Sequence, residues 1–175
     1  QKVLPQHLVN NARDASNLRG SGARPSASQW DGEFRLGVQL PCDLTLELAG
    51  LAGSPLKSVV NIASMYGVVA TQATLYERNE DRAPLHYGVV KAALIHLTRE
   101  LAVRLGPTVR VNAVSYGGVE GRVDDAIRER YARLTPLARM LSDADLAGPV
   151  DFLTSDGATA VTGHNLLAEG GWTAW

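Results

Sequence analysis

The sequence has few of the features that mark secreted or membrane proteins. Its 175 residues contain one cysteine, Cys42, so no disulfide can form within the chain, which favours a reducing compartment such as the cytoplasm. No apolar run approaches the ~18 residues that a membrane-spanning helix needs. No secretory signal pattern is present either. We therefore expect neither a disulfide scaffold nor a membrane protein.

Charge and metal-ligand patterns are also sparse. The 17 basic and 18 acidic residues leave a net charge of -1, so the sequence predicts no binding to nucleic acid or to anionic membranes. The four histidines are scattered without metal-ligand spacing, so we expect no metal site. The sequence does contain 45% hydrophobic residues, which is enough for one soluble domain with a sizeable core.

Strand and helix patterns alternate along the chain. Apolar or β-branched runs predict four strands, at His7–Val9, Leu56–Ala63, Thr108–Val114 and His164–Ala168. Amphipathic or capped segments predict helices in the second half of Trp30–Gly50 and at His86–Leu105, Val123–Arg133 and Ser142–Thr154, whereas Asn11–Gln29 has loop composition. This alternation indicates parallel strands with helical crossovers, and ligands bind such sheets beyond the carboxyl ends of the strands. Three such ends are predicted at Asn10–Arg13, Ala63–Tyr66 and Ser115–Val119.

The helix predicted at His86–Leu105 carries two residues that suit proton transfer. Tyr87 and Lys91 are four residues apart, so they lie on one face of the helix. A free phenol has a pKa near ~10, and a neighbouring ammonium group favours the phenolate and lowers that pKa. The pair can then act as a general acid or base on a hydroxyl or carbonyl oxygen. On the spacing alone, a surface tyrosine beside a solvated lysine is the more common arrangement, so the rest of the chain must decide.

Five motifs, in order along nearly the whole chain, resemble those of the short-chain dehydrogenase/reductase family. They are LVNNAR at 8–13, VVNIAS at 59–64, YGVVK at 87–91, VRVNAVSYGG at 109–118 and TGHNLLAEGG at 162–171. The resemblance implies an α/β fold, a Rossmann-like parallel sheet with helical crossovers. It also implies that residues 1–175 form a single partial domain, the C-terminal portion of such an enzyme. The N-terminal half of the doubly wound sheet, with its TGxxxGxG turn, has no counterpart in the sequence, which begins at Gln1.

The same resemblance implies roles for individual residues. Tyr87 would be the general acid/base, Lys91 would lower its pKa and bind the nicotinamide ribose, and Ser64 would hold the substrate oxygen. The cofactor would be NAD or NADP, with the choice undetermined. The cofactor contacts would come from Asn11, Ala12, Tyr87, Lys91, Gly117 and Val119, the last through its backbone amide. The family also implies a small alcohol or carbonyl substrate and a homodimer or homotetramer.

The sequence departs from the family pattern near this expected site. Gly37 falls where the family usually has an asparagine that relays protons through water, and Arg13 replaces a glycine. The stretch between Ser64 and Tyr87 is longer than usual and carries a charged insertion, LYERNEDRAP at 75–84. We expect the insertion to form either a polar wall or lid for a polar substrate, such as a sugar derivative, or a solvated surface excursion.

Three functions are consistent with these residues. The first is an NAD(P)-dependent oxidoreductase acting on an alcohol or carbonyl compound, with Tyr87 as general acid/base. The second is a non-catalytic, partial or remnant domain that no longer binds the cofactor and acts through its dimer interface. The third is another reaction on the same scaffold, such as epimerisation or dehydration, which also uses a tyrosine and a lysine. Binding of NADH or NADPH separates the first two, and product analysis identifies the third.

Overall fold

The computed structural model describes residues 4–19, 24–121 and 123–175 and has an α/β fold. Its strands and longer helices are, in order, β1 (His7–Asn10), α1 (Ala27–Phe34), α2 (Leu40–Gly50), β2 (Ser58–Ser64), α3 (Leu85–Leu105), β3 (Arg110–Tyr116), α4 (Asp125–Arg133), α5 (Ala144–Thr154) and β4 (Asn165–Ala168). All strand pairs are parallel, in the order β1-β2-β3-β4, which confirms the predicted sheet and crossovers. Residues 20–23 of the predicted loop lie outside the described residues.

Helices cover both faces of the sheet because β2 and β3 carry apolar side chains on each face. Val59 and Val111 are fully buried in a cluster with residues of α3. Val60 and Val114 are fully buried on the opposite face, against Leu153 of α5. Burying one such side chain contributes roughly 1.5–3 kcal/mol, so these central strands form the stable part of the fold. In contrast, β1 is an edge strand whose side chains alternate between exposed and half-buried.

The helix predicted only in the second half of Trp30–Gly50 is longer than expected. It begins with α1, which has a capping box: the side chains of Ser26 and Gln29 each accept a hydrogen bond from the other's backbone amide. A π-helical turn, Arg35–Gln39, joins α1 to α2. Pro41 follows this turn, and the wider turn accommodates a proline, which cannot donate the usual helical hydrogen bond. The polar residues of α1 have loop composition, which explains why the sequence pattern missed its start.

A buried network of amide and hydroxyl side chains joins β1, β2 and α3. Asn10 Nδ2 donates to Asn61 Oδ1 at 2.8 Å, and Asn61 Nδ2 donates to Thr98 Oγ1 at 2.9 Å. The Thr98 hydroxyl in turn donates to the carbonyl oxygen of Leu94 at 2.9 Å. An unpaired buried polar group costs about 1–3 kcal/mol. Sliding α3 along the two strands would break these bonds, so they fix the position of the helix.

Apolar residues that recur at three- and four-residue steps predict one buried face of α3, made of Val90, Ala93, Leu94, Leu97, Leu101 and Leu105. This face is confirmed in part. Val90, Leu94 and Leu101 are buried as expected, whereas three other members of the predicted face are only half-buried: Ala93, Leu97 and Leu105. His86 and Ile95 are buried beside them. The helix therefore presents a wider buried face than the three- and four-residue spacing indicated.

Candidate active site

The segments that follow β1, β2 and β3 converge at one edge of the sheet. Together with α3 they line a cavity of about 520 Å³, called here the larger cavity. Every residue that the sequence assigned to the site lies in its wall: Asn11, Ala12, Ser64, Tyr87, Lys91, Gly117 and Val119. They meet because the carboxyl ends of parallel strands point to the same edge. The predicted site residues, far apart in sequence, thus share one cavity.

Ser64 is the last residue of β2, and the turn that follows holds its side chain. Its Oγ accepts a hydrogen bond from the backbone amide of Tyr66 at 3.2 Å, and the residue is 7% exposed. The turn packs directly on α3, since a Cβ at Gly67 would lie 2.8 Å from the carbonyl carbon of Lys91. This close contact keeps the Ser64 hydroxyl beside the start of α3.

A backbone hydrogen bond holds the Lys91 side chain in the site. Its Nζ donates to the carbonyl oxygen of Ile62 at 2.7 Å and lies 5.8 Å from the centroid of the Tyr87 ring. Burial has the largest effect on the pKa of Lys91 and lowers it, because desolvation disfavours the charged form. The carboxylate of Glu33 opposes this lowering, and the positive charge of Arg13 adds to it.

The pKa of the Tyr87 phenol is shifted in the direction opposite to the predicted one. Burial has the largest effect on the pKa of its phenol and raises it, while the hydrogen bond with Ser64 and the charge of Arg13 lower it. The expectation that a neighbouring lysine makes the phenol more acidic than usual is therefore wrong, because desolvation outweighs the nearby charges. The phenol is protonated at neutral pH, so it is ready to donate a proton.

Two charged residues to which the sequence gave no role act on Tyr87 and Lys91. Arg13 lies in the wall of the larger cavity, with its guanidinium carbon 5.6 Å from the centroid of the Tyr87 ring. Glu33, in α1, is only 4% exposed; burial raises the pKa of its carboxyl group and is opposed by the charge of Lys91. The sequence marks Arg13 as a departure from its motif. Nothing marks Glu33, because the burial of a helical residue depends on what packs against it.

The position where the family usually has a proton-relaying asparagine is closed by packing. Gly37 lies in the π-helical turn between α1 and α2, and a Cβ there would be 2.5 Å from Cγ1 of Val90. Val90 is fully buried in α3, and a β-branched side chain in a helix has little rotamer freedom. Glycine therefore allows the turn to approach α3, and an asparagine has no room.

A β-bridge between Val119 and Leu141 fixes the loop after β3. The Glu120 amide donates to the Leu141 carbonyl oxygen and the Leu141 amide donates to the Gly118 carbonyl oxygen, both at 2.8 Å. A parallel ladder bonds the residues on either side of a bridged one, so the Val119 amide points away from Leu141. Tyr131 Oη also accepts a hydrogen bond from the Gly118 amide at 2.8 Å.

A smaller cavity, of about 290 Å³, shares Arg13, Ser64 and Tyr87 with the larger one. Its remaining wall is mainly apolar and aromatic and includes Leu18, Met65, Tyr66, Leu75, Tyr76, Ile127, Tyr131 and Met140. The hydroxyls of Tyr66 and Tyr76 lie 3.0 Å apart and bond each other. The two cavities thus meet at Tyr87, and the smaller one offers a compact space beside its phenol.

The charged insertion at 75–84 contributes uncharged residues to this smaller cavity. They are Leu75, Tyr76, Ala83 and Pro84. Four of its five charged side chains form surface ion pairs, which are Arg78–Glu80, Arg78–Asp81 and Glu77–Arg130. The fifth, Arg82, is half-buried and lines a different cavity. The insertion is therefore a wall, but the expectation of a polar inner face is wrong. Charges that turned inward would lose hydration, whereas at the surface they keep it.

Within residues 4–19, 24–121 and 123–175, no helix is long and apolar enough to cross a membrane. In the same ranges, no group of three or more His, Cys, Asp or Glu side chains is placed to hold a metal ion. The side chains that offer hydrogen bonds to the larger cavity include Ser64, Tyr87 and Lys91. Such donors fit the hydroxyl, amide and phosphate oxygens of a dinucleotide.

Comparisons with known proteins agree with this fold. A family model described as enoyl-(acyl carrier protein) reductase matches residues 7–173. The chain is 43% identical over 93 residues to an L-rhamnose 1-dehydrogenase (NAD(P)(+)) of Azotobacter vinelandii, covering 49% of this chain and 36% of that protein. It is 31% identical over 157 residues to an NADP-dependent mannitol dehydrogenase of Hypocrea jecorina, covering 85% of this chain and 54% of that protein.

Solved structures give the same result. The chain matches a short-chain dehydrogenase from Leptospira borgpetersenii with bound NAD+, with a TM-score of 0.85 and 30% sequence identity. The match covers 97% of this chain and 65% of that one. The chain spans about half the length, or less, of the two curated relatives described above, since the matches cover 36% and 54% of those proteins.

Proposed function

The chain belongs to the short-chain dehydrogenase/reductase family, and on that premise we propose that it carries the catalytic centre of an NAD(P)-dependent oxidoreductase acting on an alcohol or carbonyl compound. This proposal depends mainly on one observation: Ser64, Tyr87 and Lys91 line the same cavity at the carboxyl ends of the strands. The names of the rhamnose and mannitol dehydrogenases support the cofactor class, as does the NAD+ bound in the Leptospira enzyme.

In this proposal Tyr87 moves the proton at the substrate oxygen. A bound dinucleotide supplies or accepts the hydride. In reduction, the Tyr87 phenol donates its proton to the carbonyl oxygen; in oxidation, the phenolate takes the proton of the substrate hydroxyl. Ser64 holds that oxygen within reach of the phenol, and Lys91 supplies positive charge beside the phenolate when it forms.

The chain also offers a surface for the nicotinamide half of the cofactor. The Lys91 ammonium has three donors, and Ile62 uses one of them. The Val119 amide faces away from Leu141 and would bond the ring's amide group, while Gly117 lies beside it in the cavity wall. Asn11 and Ala12 would line the adenosine side. No TGxxxGxG turn occurs in the 175 residues, so no residue is assigned to the pyrophosphate or to the choice between NAD and NADP.

We propose a small polar substrate; the rhamnose and mannitol relatives are named for a sugar and a polyol. The full-length protein would be a cytoplasmic homodimer or homotetramer, with residues 1–175 as its C-terminal portion. The apolar side chains exposed on α2 and α3 support self-association; they include Leu44, Leu46, Leu85, Val89 and Val103. The same surfaces would serve the alternative, a non-catalytic domain that acts through its dimer interface.

The test is to titrate NADH and NADPH against the full-length gene product and to assay sugars, polyols and simple ketones. Saturable binding and turnover are expected. Tyr87→Phe should abolish turnover, by at least about 100-fold, while the dinucleotide Kd stays within about twofold, because the phenylalanine ring fills the same space. A wild-type protein that binds no dinucleotide would favour the non-catalytic alternative. A Tyr87→Phe variant of normal rate would overturn the proton-transfer role.

A further inference from the structure

Arg13 lies at the junction of the two cavities. Its side chain lines both of them, together with Ser64 and Tyr87, and its guanidinium carbon is 5.6 Å from the centroid of the Tyr87 ring. A group bound to this guanidinium would therefore sit next to the substrate atom that Tyr87 serves. Position 13 is thus placed to select the substrate as well as to influence the phenol.

The charge of Arg13 has no close acidic partner among the described residues. The ion pairs found in the described ranges do not include Arg13. The adjacent Asp14 is engaged elsewhere, since its Oδ1 accepts hydrogen bonds from the Ser16 amide and hydroxyl at 2.8 and 2.7 Å. Arg13 and Lys91 place two cations around Tyr87. The acidic groups nearby are the buried Glu33 and, in the wall of the larger cavity, Glu120 and Asp143. The unpaired guanidinium of Arg13, rather than the net charge of the junction, is therefore what offers a place for an anionic group.

The size and the lining of the smaller cavity indicate which kind of anionic ligand it could hold. The cavity holds about 290 Å³, and most of its wall is apolar or aromatic. No charged residue of the insertion lines this cavity: four of them pair with each other or with Arg130 at the surface, and Arg82 lines a different cavity. A short carbon skeleton with a single charged end fits this space better than a chain of hydroxyl groups.

We propose that Arg13 binds the carboxylate of the substrate, which is then a short hydroxy acid in oxidation or an oxo acid in reduction. The inference rests on the proposed function, because it places the reacting carbon between Arg13 and Tyr87. A planar guanidinium binds a carboxylate through two parallel N–H···O bonds, which fixes orientation as well as affinity. An anionic group of the dinucleotide is the other source of negative charge near Arg13.

The experiment compares 3-hydroxybutyrate with its neutral amide, and 2-hydroxybutyrate with its amide, using the full-length gene product. The wild type should prefer the acids, and Arg13→Gln should lower kcat/KM for the acids by about 10- to 100-fold, mainly through KM. Because Arg13 also lowers the pKa of Tyr87, the same change should slow the oxidation of acids and amides alike at a given pH. The deciding quantity is therefore the acid-to-amide ratio of kcat/KM, which should fall by about 10-fold or more, while the dinucleotide Kd stays within about threefold. Arg13→Lys should recover part of the loss, because it keeps the charge but not the paired donors. Arg99→Gln is the matched control, since Arg99 is an exposed residue of α3.

Three results would overturn the proposal. Equal use of acids and amides by the wild type would remove the carboxylate preference while leaving the oxidoreductase function intact. An Arg13→Gln variant that changes only the dinucleotide Kd would assign Arg13 to the cofactor. If no alcohol or carbonyl compound is turned over, the proposed function fails; calorimetric binding of butyrate to the wild type and to Arg13→Gln then tests Arg13 independently, and equal affinities would contradict it.

Discussion

The ammonium group of Lys91 donates a 2.7 Å hydrogen bond to the carbonyl oxygen of Ile62, two residues before Ser64. This bond joins the first half of α3 to the carboxyl end of β2. It sets the distance between the residue that would hold the substrate oxygen and the helix that carries Tyr87. The lysine is therefore a structural link within the site as well as a charge.

Lys91→Ala should impair both cofactor binding and turnover. The variant loses the donors that face the larger cavity and the link to Ile62, so the dinucleotide Kd should rise and kcat should fall, each by about 10- to 100-fold. Fluorescence titration and steady-state kinetics measure these changes. Lys57→Ala is the control, because Lys57 is exposed. A Lys91→Ala variant with wild-type Kd would show that the lysine does not contact the cofactor.

The two directions of the reaction should respond differently to pH. Because burial raises the pKa of Tyr87, the phenol is protonated through the neutral range, and carbonyl reduction should be flat there. Alcohol oxidation needs the phenolate and should rise steadily up to at least about pH 10. Profiles of kcat/KM against pH in both directions check this. An oxidation rate already level at pH 7 would contradict a raised pKa, and Arg13→Gln should move the rise to higher pH.

Glu33→Gln should stabilise the fold at neutral pH. Burial raises the pKa of the Glu33 carboxyl in the folded protein above its value in the unfolded chain. The contribution of the protonated carboxyl to the stability of the fold is therefore fully present below the unfolded pKa. That contribution is lost as pH rises through the folded pKa. Glutamine keeps the neutral form at all pH values, so the variant should gain roughly 1 kcal/mol at pH 7, or about 2–4 °C in Tm. Thermal unfolding at pH 7 and pH 4 measures this.

The gain from Glu33→Gln should disappear at pH 4, where the wild-type carboxyl is protonated as well. Glu47→Gln provides the control, because Glu47 is an exposed residue of α2 and should show no comparable change. A loss of stability in Glu33→Gln at pH 7 would mean that the carboxylate makes a net favourable interaction with Lys91.

Gly37→Ala should destabilise the protein by about 1–3 kcal/mol, because the new methyl group would collide with Val90. Val90→Ala removes the colliding atom, so the double variant should be more stable than the sum of the two single effects by at least about 1 kcal/mol. Denaturant unfolding of the four proteins measures this coupling. Additive effects would show that the turn between α1 and α2 moves away from α3 at little cost.

Much of the site was predictable from the sequence. The strands β2 and β3 have long apolar, β-branched runs, and parallel strands place their carboxyl ends together whatever else the chain does. Ser64 and Gly117 could therefore be assigned to one edge, whereas the resemblance to the short-chain dehydrogenase/reductase family placed Tyr87 of α3 beside them. The start of α1 carried a usable signal too, the capping box of Ser26 and Gln29, which its polar composition hid.

The sequence by itself determined the parallel α/β fold and the residues at its strand ends, because periodicity and turn chemistry act between near neighbours in the chain. Only the tertiary structure decided that Arg13 reaches Tyr87, that Glu33 is buried and that Glu77 of the insertion pairs with Arg130 at the surface. It also decided the direction of the Tyr87 pKa shift. These properties depend on which distant segments exclude water from a side chain, and desolvation follows three-dimensional packing rather than spacing along the chain.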